Sequence, residues 1–276
     1  MQFIKMHGIG NDYVYIDCFR ETVPEPEKLA VRVSDRHFGV GGDGLILILP
    51  SDRADVRMRI FNADGSEAQM CGNGIRCLAK YVYEAGIHRK PEIAVETLAG
   101  VLPLQLITAD GTVEQVRVDM GVPRLRRQDI PMRGEGERVV GEQLTAGDRE
   151  FVVTCLSMGN PHCVIYVEDV AQYPVTHYGP LLERHARFPQ RTNVEWVECL
   201  NRQEIRQRTW ERGSGETLAC GTGACAAAVA SALNGKTDRT VTVHLCGGDL
   251  EIDWAADEHV YMTGPAVEVF RGNWSR

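Results

Sequence analysis

Two short stretches of the sequence place a cysteine in the same setting, just before a glycine-rich turn. Residues 59–74 read RIFNADGSEAQMCGNG, and residues 208–223 read RTWERGSGETLACGTG. Cys71 and Cys220 therefore correspond at an offset of 149 residues. Inversion at a carbon that bears a weakly acidic proton needs a base on one face and a protonated acid on the other, with the roles exchanged in the reverse reaction. Two equivalent thiols meet that need.

Each cysteine precedes a segment that is predicted to be helical. Residues 72–84 carry apolar side chains at helical spacing, and residues 221–233 are rich in alanine and small on every face. A helix that begins directly after a cysteine points unpaired backbone N–H groups and the positive end of its dipole at whatever lies before it. We expect this arrangement to hold a carboxylate and to lower the pKa of the thiol from about 8.5 toward neutrality.

Polar side chains of the kind that hold ammonium and carboxylate groups lie beside both cysteine motifs. They occupy turns or the ends of predicted strands, where each one alone could also be an ordinary turn or capping residue. Gly10-Asn11 and Gly159-Asn160 again correspond at the offset of 149 residues. The candidate set is Asn11, Asn62, Asn160, Asn193, Glu211 and Arg212.

The chain has nine cysteines and no C-x-x-C pair. Their spacings do not match the usual zinc ligand patterns, so we predict no metal site and disfavour a thiol redox or metal-binding protein. A non-catalytic amino acid binding module would not require a cysteine on both faces of its cleft. Outside the two motifs, the ordinary interpretation is a small buried hydrophobe. It applies to Cys18, Cys77, Cys155, Cys163, Cys199, Cys225 and Cys246.

The elements that must position these residues occur in the same order in both halves, which predicts an α/β (α+β) fold built twice. The first half is predicted to contain a strand at 13–17, a helix at 27–37 and strands at 45–49 and 56–60. The second is predicted to contain a strand at 163–167, a helix at 179–187 and strands at 194–198 and 204–210. The alanine-rich helix is expected to be deeply packed within a curled mixed sheet.

Two breaks in the pattern predict the domain boundaries. Strand signals give way to Pro and Arg after 120–123, and a second break follows at 262–265. Residues 266–270 are predicted to form a strand that returns to the sheet of the first domain. We expect one domain of residues 1–119 plus 265–276, a second of residues 120–264, and an active site in the cleft between them.

Composition excludes several classes of protein. Hydrophobic residues make up 43% of the 276 residues and charged residues 25%, as in an ordinary globular protein. The net charge of −8 and the absence of a basic stripe argue against a nucleic-acid partner. No apolar run approaches the roughly 18 residues of a membrane span, and the N-terminus lacks a signal-like apolar region. We expect a cytoplasmic protein with no membrane association.

At these motifs the sequence closely resembles the diaminopimelate epimerases, and the resemblance extends over the whole chain. The matching segments are 5–12 (KMHGIGND), 35–41 (DRHFGVG), 61–67 (FNADGSE), 70–74 (MCGNG), 157–163 (SMGNPHC), 211–213 (ERG), 215–216 (GE), 219–224 (ACGTGA) and 261–265 (YMTGP). The resemblance implies two similar domains, each a curled sheet or barrel around a central helix. It also implies conversion of LL-2,6-diaminopimelate to the meso form, in lysine and peptidoglycan precursor biosynthesis, by a homodimer without pyridoxal phosphate, any other cofactor or a metal.

The same resemblance implies a role for individual residues. Cys71 and Cys220 would be the catalytic acid and base, and His162 and Glu211 would assist them. The substrate would be bound by Asn11, Asn62, Gly72, Asn73, Asn160, Asn193, Glu211, Arg212, Gly221 and Thr222. Asn62, Asn193 and Arg212 would recognise the distal amino acid centre.

Two positions depart from the family pattern, and one rival activity stays open. Some relatives place a Gln side chain on the substrate where this chain has Gly44, and some have a Tyr in the dimer contact where it has Phe270. The alternative function is a proline or hydroxyproline racemase with the same two-thiol mechanism. A compact cyclic substrate would not need Glu211 and Arg212.

Overall fold

The structure is a computed structural model that describes residues 1–275, and it divides the chain into two compact units. The first unit contains Met1–Asp119 together with the chain from Thr263 onward, and the second contains Met120–Met262. Residues 1–275 form strands interspersed with four α-helices, so the predicted mixed α and β fold class is confirmed. Within residues 1–275, no helix is long and apolar enough to cross a membrane.

The first unit is a mixed sheet with a helix on either face. Its strands are β1 (Gln2–Gly8), β2 (Asn11–Asp17), β3 (Gly44–Leu49), β4 (Val56–Asn62), β5 (Glu67–Ala68), β6 (Glu92–Thr97), β7 (Gly100–Ala109), β8 (Thr112–Asp119) and β18 (Val267–Asn273), and its helices are α1 (Pro26–Ser34) and α2 (Gly72–Glu84). Strands β2 and β3 are parallel, as are β4 and β6, and the other neighbours are antiparallel. Because α2 packs against β1, β2, β7 and β8, the sheet curls around it.

The second unit repeats this plan. Its strands are β9 (Val139–Ala146), β10 (Arg149–Ser157), β11 (Pro161–Tyr166), β12 (Asn193–Cys199), β13 (Glu204–Glu211), β14 (Gly215–Thr217), β15 (Thr240–Leu245) and β16 (Gly248–Trp254), and its helices are α3 (Val175–Glu183) and α4 (Gly221–Leu233). Strand β17 (Val260–Pro265) leads from this unit back to the first. Helix α4 packs against β10 to β13, β15 and β16 and is buried on nearly every face, as its alanine-rich sequence predicted.

Strand β3 and its counterpart β12, 149 residues later, each separate two packing layers. In β3, Leu45 and Leu47 pack with the buried face of α1, whereas Ile46 points the other way, toward the first turn of α2. This alternation follows from the two-residue period of a strand. In β12 the corresponding outer residue Trp196 packs with α3, and Glu195 points toward the first turn of α4. The two-residue alternation along β3 and β12 therefore determines which side chain faces the helix that begins after each candidate cysteine.

The sequence predicted the two central helices and the returning strand correctly. Helices α2 and α4 have the predicted bounds of 72–84 and 221–233. Strand β18 pairs antiparallel with β1, from Gln2 opposite Asn273 to His7 opposite Val267, so the predicted return to the first sheet is confirmed.

The bounds predicted for the two outer helices were wrong. Helix α1 ends at Ser34, before the predicted end at 37, because the Asp35 carboxylate accepts hydrogen bonds from the amides of His37 and Phe38 and turns the chain. Helix α3 spans Val175–Glu183 instead of 179–187. Its buried residues Val175, Tyr178 and Leu182 recur at helical spacing and place the apolar face four residues earlier.

Candidate active site

Each candidate cysteine is the N-cap of its central helix. Cys71 and Cys220 have extended backbone conformations, and each sulfur accepts a hydrogen bond from the third helical amide, of Gly74 and Gly223 respectively, at 3.4 Å. A cap of this kind satisfies one of the unpaired N–H groups at a helix start. Cys71 is half-buried, and Cys220 is buried with 7% of its surface exposed.

The glycine in the first turn of each helix is required by the close approach of a strand. A Cβ on Gly74 would lie 2.6 Å from Cδ1 of Ile46, and a Cβ on Gly223 would lie 2.9 Å from Oε1 of Glu195. A larger residue at either position would force the end of the facing side chain to move. The C-G-x-G spacing therefore lets the first turn of each helix lie close against the facing strand residue.

In the first unit, Asn11 connects the thiol to a carboxylate. The Cys71 thiol donates to Oδ1 of Asn11 at 3.2 Å, and Nδ2 of Asn11 donates to Oδ2 of Asp43 at 2.7 Å. The amide of Asp12 donates to the same oxygen of Asp43 at 3.1 Å. The amide of Asn11 is thus held with its oxygen toward the sulfur.

A charged network that sequence reasoning missed supports Asn11. Arg36 bridges Asp12 at 2.7 Å and Asp43 at 3.0 Å, and Lys5 pairs with Asp12 at 2.5 Å. Burial acts to raise the pKa of Asp12, but the hydrogen bonds from Arg36 and Lys5 prevail and hold that pKa below its ordinary value. Lys5, Asp12 and Arg36 all lie in segments that carry the family resemblance. Their presence in those segments was the one sequence feature that could have marked them as part of the site.

The remaining candidates in the first unit occupy different settings. Asn73 is buried in the first turn of α2, directly after the buried Gly72. Asn62 lies at the end of β4, where its Nδ2 donates to Oγ of Ser66 at 3.0 Å across the turn to β5. Tyr13, which the sequence did not suggest as a site residue, also lies near Cys71. Burial raises the pKa of its hydroxyl, and the neighbouring Cys71 raises that pKa further. Tyr13 therefore stays neutral beside the thiol.

In the second unit, a hydrogen-bonded chain runs from a buried carboxyl group to the thiol. Glu195 Oε1 lies 2.8 Å from Nδ1 of His162, and Nε2 of His162 lies 3.0 Å from Oδ1 of Asn160. Nδ2 of Asn160 donates to Oγ1 of Thr222 at 3.2 Å, which lies 3.5 Å from the sulfur of Cys220. His162 and Glu195 are both fully buried. Sequence reasoning proposed His162, Asn160 and Thr222 for the site and missed Glu195.

The expected lowering of the thiol pKa is wrong for Cys220. Burial raises the pKa of this thiol well above its ordinary value, and the carboxylates of Glu211 and Glu195 raise it further. The hydrogen bonds from Thr222 and the Gly223 amide act in the opposite direction without overcoming burial. Helix position alone therefore does not set the protonation state of this cysteine.

Three further candidates of the second unit cluster where β12 and β13 lie side by side. Nδ2 of Asn193 donates to the carbonyl of Pro161 at 2.9 Å, and Oδ1 of Asn193 accepts from the amide of Arg212 at 2.9 Å. The exposed Arg212 side chain reaches the carbonyl of Gln190 at 3.0 Å. Glu211 Oε1 accepts from Thr217 at 2.5 Å and acts electrostatically on Cys220. Asn193 thus ties the Arg212 backbone to the strand that carries Glu195.

The position where some relatives have Gln cannot hold a side chain in this backbone. A Cβ on Gly44 would lie 2.1 Å from the carbonyl oxygen of Phe61 and 2.9 Å from the ring of Tyr13. Among residues 1–275, no group of three or more His, Cys, Asp or Glu side chains is arranged to hold a metal ion.

Comparison with solved structures defines the class of fold. A PhzF-family phenazine biosynthesis protein of Bacillus anthracis superposes with a TM-score of 0.72 at 18% identity, covering 99% of this chain and 98% of that one. A probable proline racemase of Agrobacterium radiobacter superposes with a TM-score of 0.72 at 16% identity, covering 99% and 92%. The chain has the fold shared by these proteins.

Comparison of sequences identifies the family within that fold. The diaminopimelate epimerase family model matches residues 3–126 and 154–269. Diaminopimelate epimerase of Moorella thermoacetica is 59% identical over 276 residues, and that of Methanococcus maripaludis strain S2 is 52% identical over 273, each covering 99% of both chains. The chain belongs to the diaminopimelate epimerase family, which confirms the resemblance seen in its motifs.

Proposed function

We propose that this protein epimerises LL-2,6-diaminopimelate to meso-2,6-diaminopimelate in the synthesis of lysine and peptidoglycan precursors. The observation that carries this function is the pair of equivalent cysteines, each capping the central helix of its unit with a sulfur accepting a glycine amide. Support comes from the names of relatives that are 52–59% identical over nearly the whole chain.

In the reaction, one thiolate takes the α-proton and the opposite thiol delivers a proton to the other face of the same carbon. Cys71 and Cys220 are the two groups, and they exchange roles between the forward and reverse directions. The amides of Gly72 and Asn73, and of Gly221 and Thr222, bind the carboxylate at the reacting centre. Each pair lies in the first turn of a helix, where backbone N–H groups lack intrahelical partners.

The protonation states favour a thiol that releases its proton to solvent only as substrate binds, which leaves the thiolate that takes the α-proton. Cys71 donates to Asn11, and the raised pKa of Cys220 favours its protonated form. The α-ammonium group of the substrate, a positive charge close to the sulfur, lowers the free energy of the thiolate. His162 and Glu211 assist by setting the hydrogen bonds and the charge around Cys220.

The residues that differ between the two units recognise the end of the substrate that does not react. Asn62, Asn193 and Arg212 bind the distal ammonium and carboxylate, while Asn11 and Asn160 serve the reacting centre. The exposed guanidinium of Arg212 has donors suited to a carboxylate. A polar site of this kind rejects a substrate that lacks the matching groups.

The test is an epimerisation assay of LL-diaminopimelate beside L-proline and L-lysine, run in deuterated water. We expect deuterium to enter one α-carbon of diaminopimelate, with no turnover of the other two amino acids. Racemisation of L-proline without reaction of diaminopimelate would assign the rival activity.

We also propose a cytoplasmic homodimer. The chemistry requires reduced thiols, which a reducing compartment maintains. Val269 and Phe270 on β18 are 54% and 46% exposed and offer apolar side chains for a dimer contact. Light scattering with size-exclusion chromatography measures the oligomeric state, and a monomer at micromolar concentration would contradict the dimer.

A further inference from the structure

Three buried strand residues beside the central helix are apolar in the first unit, and their counterparts in the second unit are polar. Positions 46, 58 and 60 are Ile, Met and Ile, whereas the positions 149 residues later are Glu195, Gln207 and Thr209. All six side chains are buried, with at most 2% of their surface exposed. Burying a carboxyl group in place of a methyl group is costly unless the group is bonded. The burial of the Glu195 carboxyl group must therefore be explained by the groups that bond to it.

Both ring nitrogens of His162 face oxygen atoms. Because Nδ2 of Asn160 donates to Thr222, Oδ1 of Asn160 is turned to Nε2 of His162 and can only accept. Nε2 must therefore carry a proton. On the other side of the ring, Nδ1 and Oε1 of Glu195 lie 2.8 Å apart and share one further proton.

Wherever that shared proton sits, the pair of His162 and Glu195 has no net charge, so His162 offsets the effect that an ionised Glu195 alone has on the pKa of Cys220. Burial raises the pKa of Glu195, although His162 acts to lower it, and no donor among residues 1–275 contacts its second oxygen, Oε2. The charge of Glu211 raises the pKa of Glu195 further, and the buried thiol of Cys163 also interacts electrostatically with Glu195. A neutral pair is the state that such surroundings accommodate.

The Nε2 proton gives the hydrogen bonds a direction. His162 donates to Asn160, Asn160 donates to Thr222, and the Thr222 hydroxyl keeps its own proton, which it can donate to the sulfur of Cys220 when that sulfur is a thiolate. In the first unit the direction is reversed, because the Cys71 thiol donates to Asn11, which donates to Asp43. The Cys71 thiol thus begins its chain as a donor, whereas the chain in the second unit can end on Cys220 as an acceptor.

We propose that Glu195 is a positioning residue that anchors His162 with its Nε2 proton toward Asn160, so that the chain of donors ends at Cys220 and stabilises its thiolate. The consequence for turnover rests on the proposed function. The effect on the thiol does not, because it follows from hydrogen bonds within the second unit alone.

The first test measures the pH dependence of alkylation at Cys220 by iodoacetamide, read by peptide mass spectrometry with Cys71 as internal reference. Two substitutions are compared, Glu195→Ile, which introduces the residue of the first unit, and Glu195→Gln, whose amide can donate to Nδ1. We expect Glu195→Ile to move the profile about one pH unit upward, the size of one hydrogen bond to a charged group, and Glu195→Gln to leave it in place. If Glu195 acts only as a negative charge beside Cys220, both substitutions move the profile downward, and the inference is overturned.

A second measurement reads the proton on His162 directly. The ¹⁵N shifts of the imidazole distinguish protonated from unprotonated nitrogens, and the spectrum of His162→Gln assigns the signal among the eight histidines. We expect a protonated Nε2 in the native protein and in Glu195→Gln. An unprotonated Nε2 in the native protein would overturn the inference even if Glu195→Ile did not fold.

Turnover supplies the third readout. We expect the rate of diaminopimelate epimerisation to fall roughly 10- to 100-fold in Glu195→Ile and to stay within about threefold in Glu195→Gln, by analogy with the loss of an outer hydrogen-bond partner. Val197→Ala, on the same strand and equally buried, is the control for lost packing. Native activity in Glu195→Ile would refute the positioning role. Absence of epimerisation in the native protein would refute the proposed function and leave the first two measurements valid.

Discussion

The sulfur of Cys71 donates a hydrogen bond to the side-chain oxygen of Asn11 at 3.2 Å, and Asp43 holds the other end of the same amide at 2.7 Å. The amide cannot turn over without losing its bond to the carboxylate. Asp43 therefore determines which atom of Asn11 the thiol meets. The second unit orients Asn160 by a different device, the imidazole of His162.

Asp43→Asn removes this control, because an amide at position 43 can accept or donate toward Asn11. We expect kcat/KM for diaminopimelate to fall roughly tenfold, as for the loss of one hydrogen bond to a charged group. Asp52→Asn, at an exposed loop position of the same unit, is the matched control. Equal activity of the two variants would show that the orientation of Asn11 is unimportant.

Cys71→Ala and Cys220→Ala should each abolish epimerisation, with a loss of at least about 10³-fold, because proton removal and proton delivery both need a thiol. Steady-state assay with purified protein measures this loss. Cys246→Ala changes an exposed cysteine and should keep native activity. Full turnover by either of the first two variants would eliminate the two-base mechanism.

The pairing of Asp12 with Lys5 and Arg36 makes stability depend on pH. Because the pKa of Asp12 in the folded protein lies below its ordinary value of 3.8, its stabilising effect is complete above that value and is lost as the pH falls through the folded pKa. Asp12→Asn should lower the free energy of unfolding by about 1–3 kcal/mol at pH 7, a value between those of exposed and buried pairs.

Urea denaturation from pH 7 to pH 3 measures this effect. The difference between the native protein and Asp12→Asn should shrink as the pH falls, while Asp110→Asn, at an exposed turn, should differ little at any pH. A difference for Asp12→Asn that stayed constant with pH would mean that the carboxylate charge is not its origin.

The close approach of Ile46 to α2 gives a test of the cysteine geometry itself. Gly74→Ala places a methyl group 2.6 Å from Cδ1 of Ile46 and should lower the free energy of unfolding by about 1–3 kcal/mol through overpacking. Ile46→Val removes that Cδ1 atom, so the double variant should regain most of the loss. A double-mutant cycle from thermal or urea unfolding measures the coupling, and strictly additive effects would exclude the contact.

The sequence by itself determined the duplicated plan, the two cysteines and the helices that follow them. Helices α2 and α4 were predictable to the residue because a glycine-rich start after Cys and an uninterrupted helical pattern are local signals. The return of β18 was also predictable, since a strand beyond the second repeat has to find a partner elsewhere. The motifs around Cys71 and Cys220 were enough to identify the family.

Only the tertiary structure decided the surroundings of the thiols. In the sequence, Glu195 is one polar residue in a predicted strand. Its contact with His162, 33 positions earlier in the chain, depends on the parallel register of β11 and β12. The pKa of Cys220 was predicted in the wrong direction because a helix start is visible in the sequence, whereas burial and the approach of Glu211 and Glu195 are not. Desolvation and contacts between distant residues arise only when the chain packs. The two cysteine motifs are nearly identical in sequence, but the residues of β3 and β12 that face them give the two thiols different surroundings.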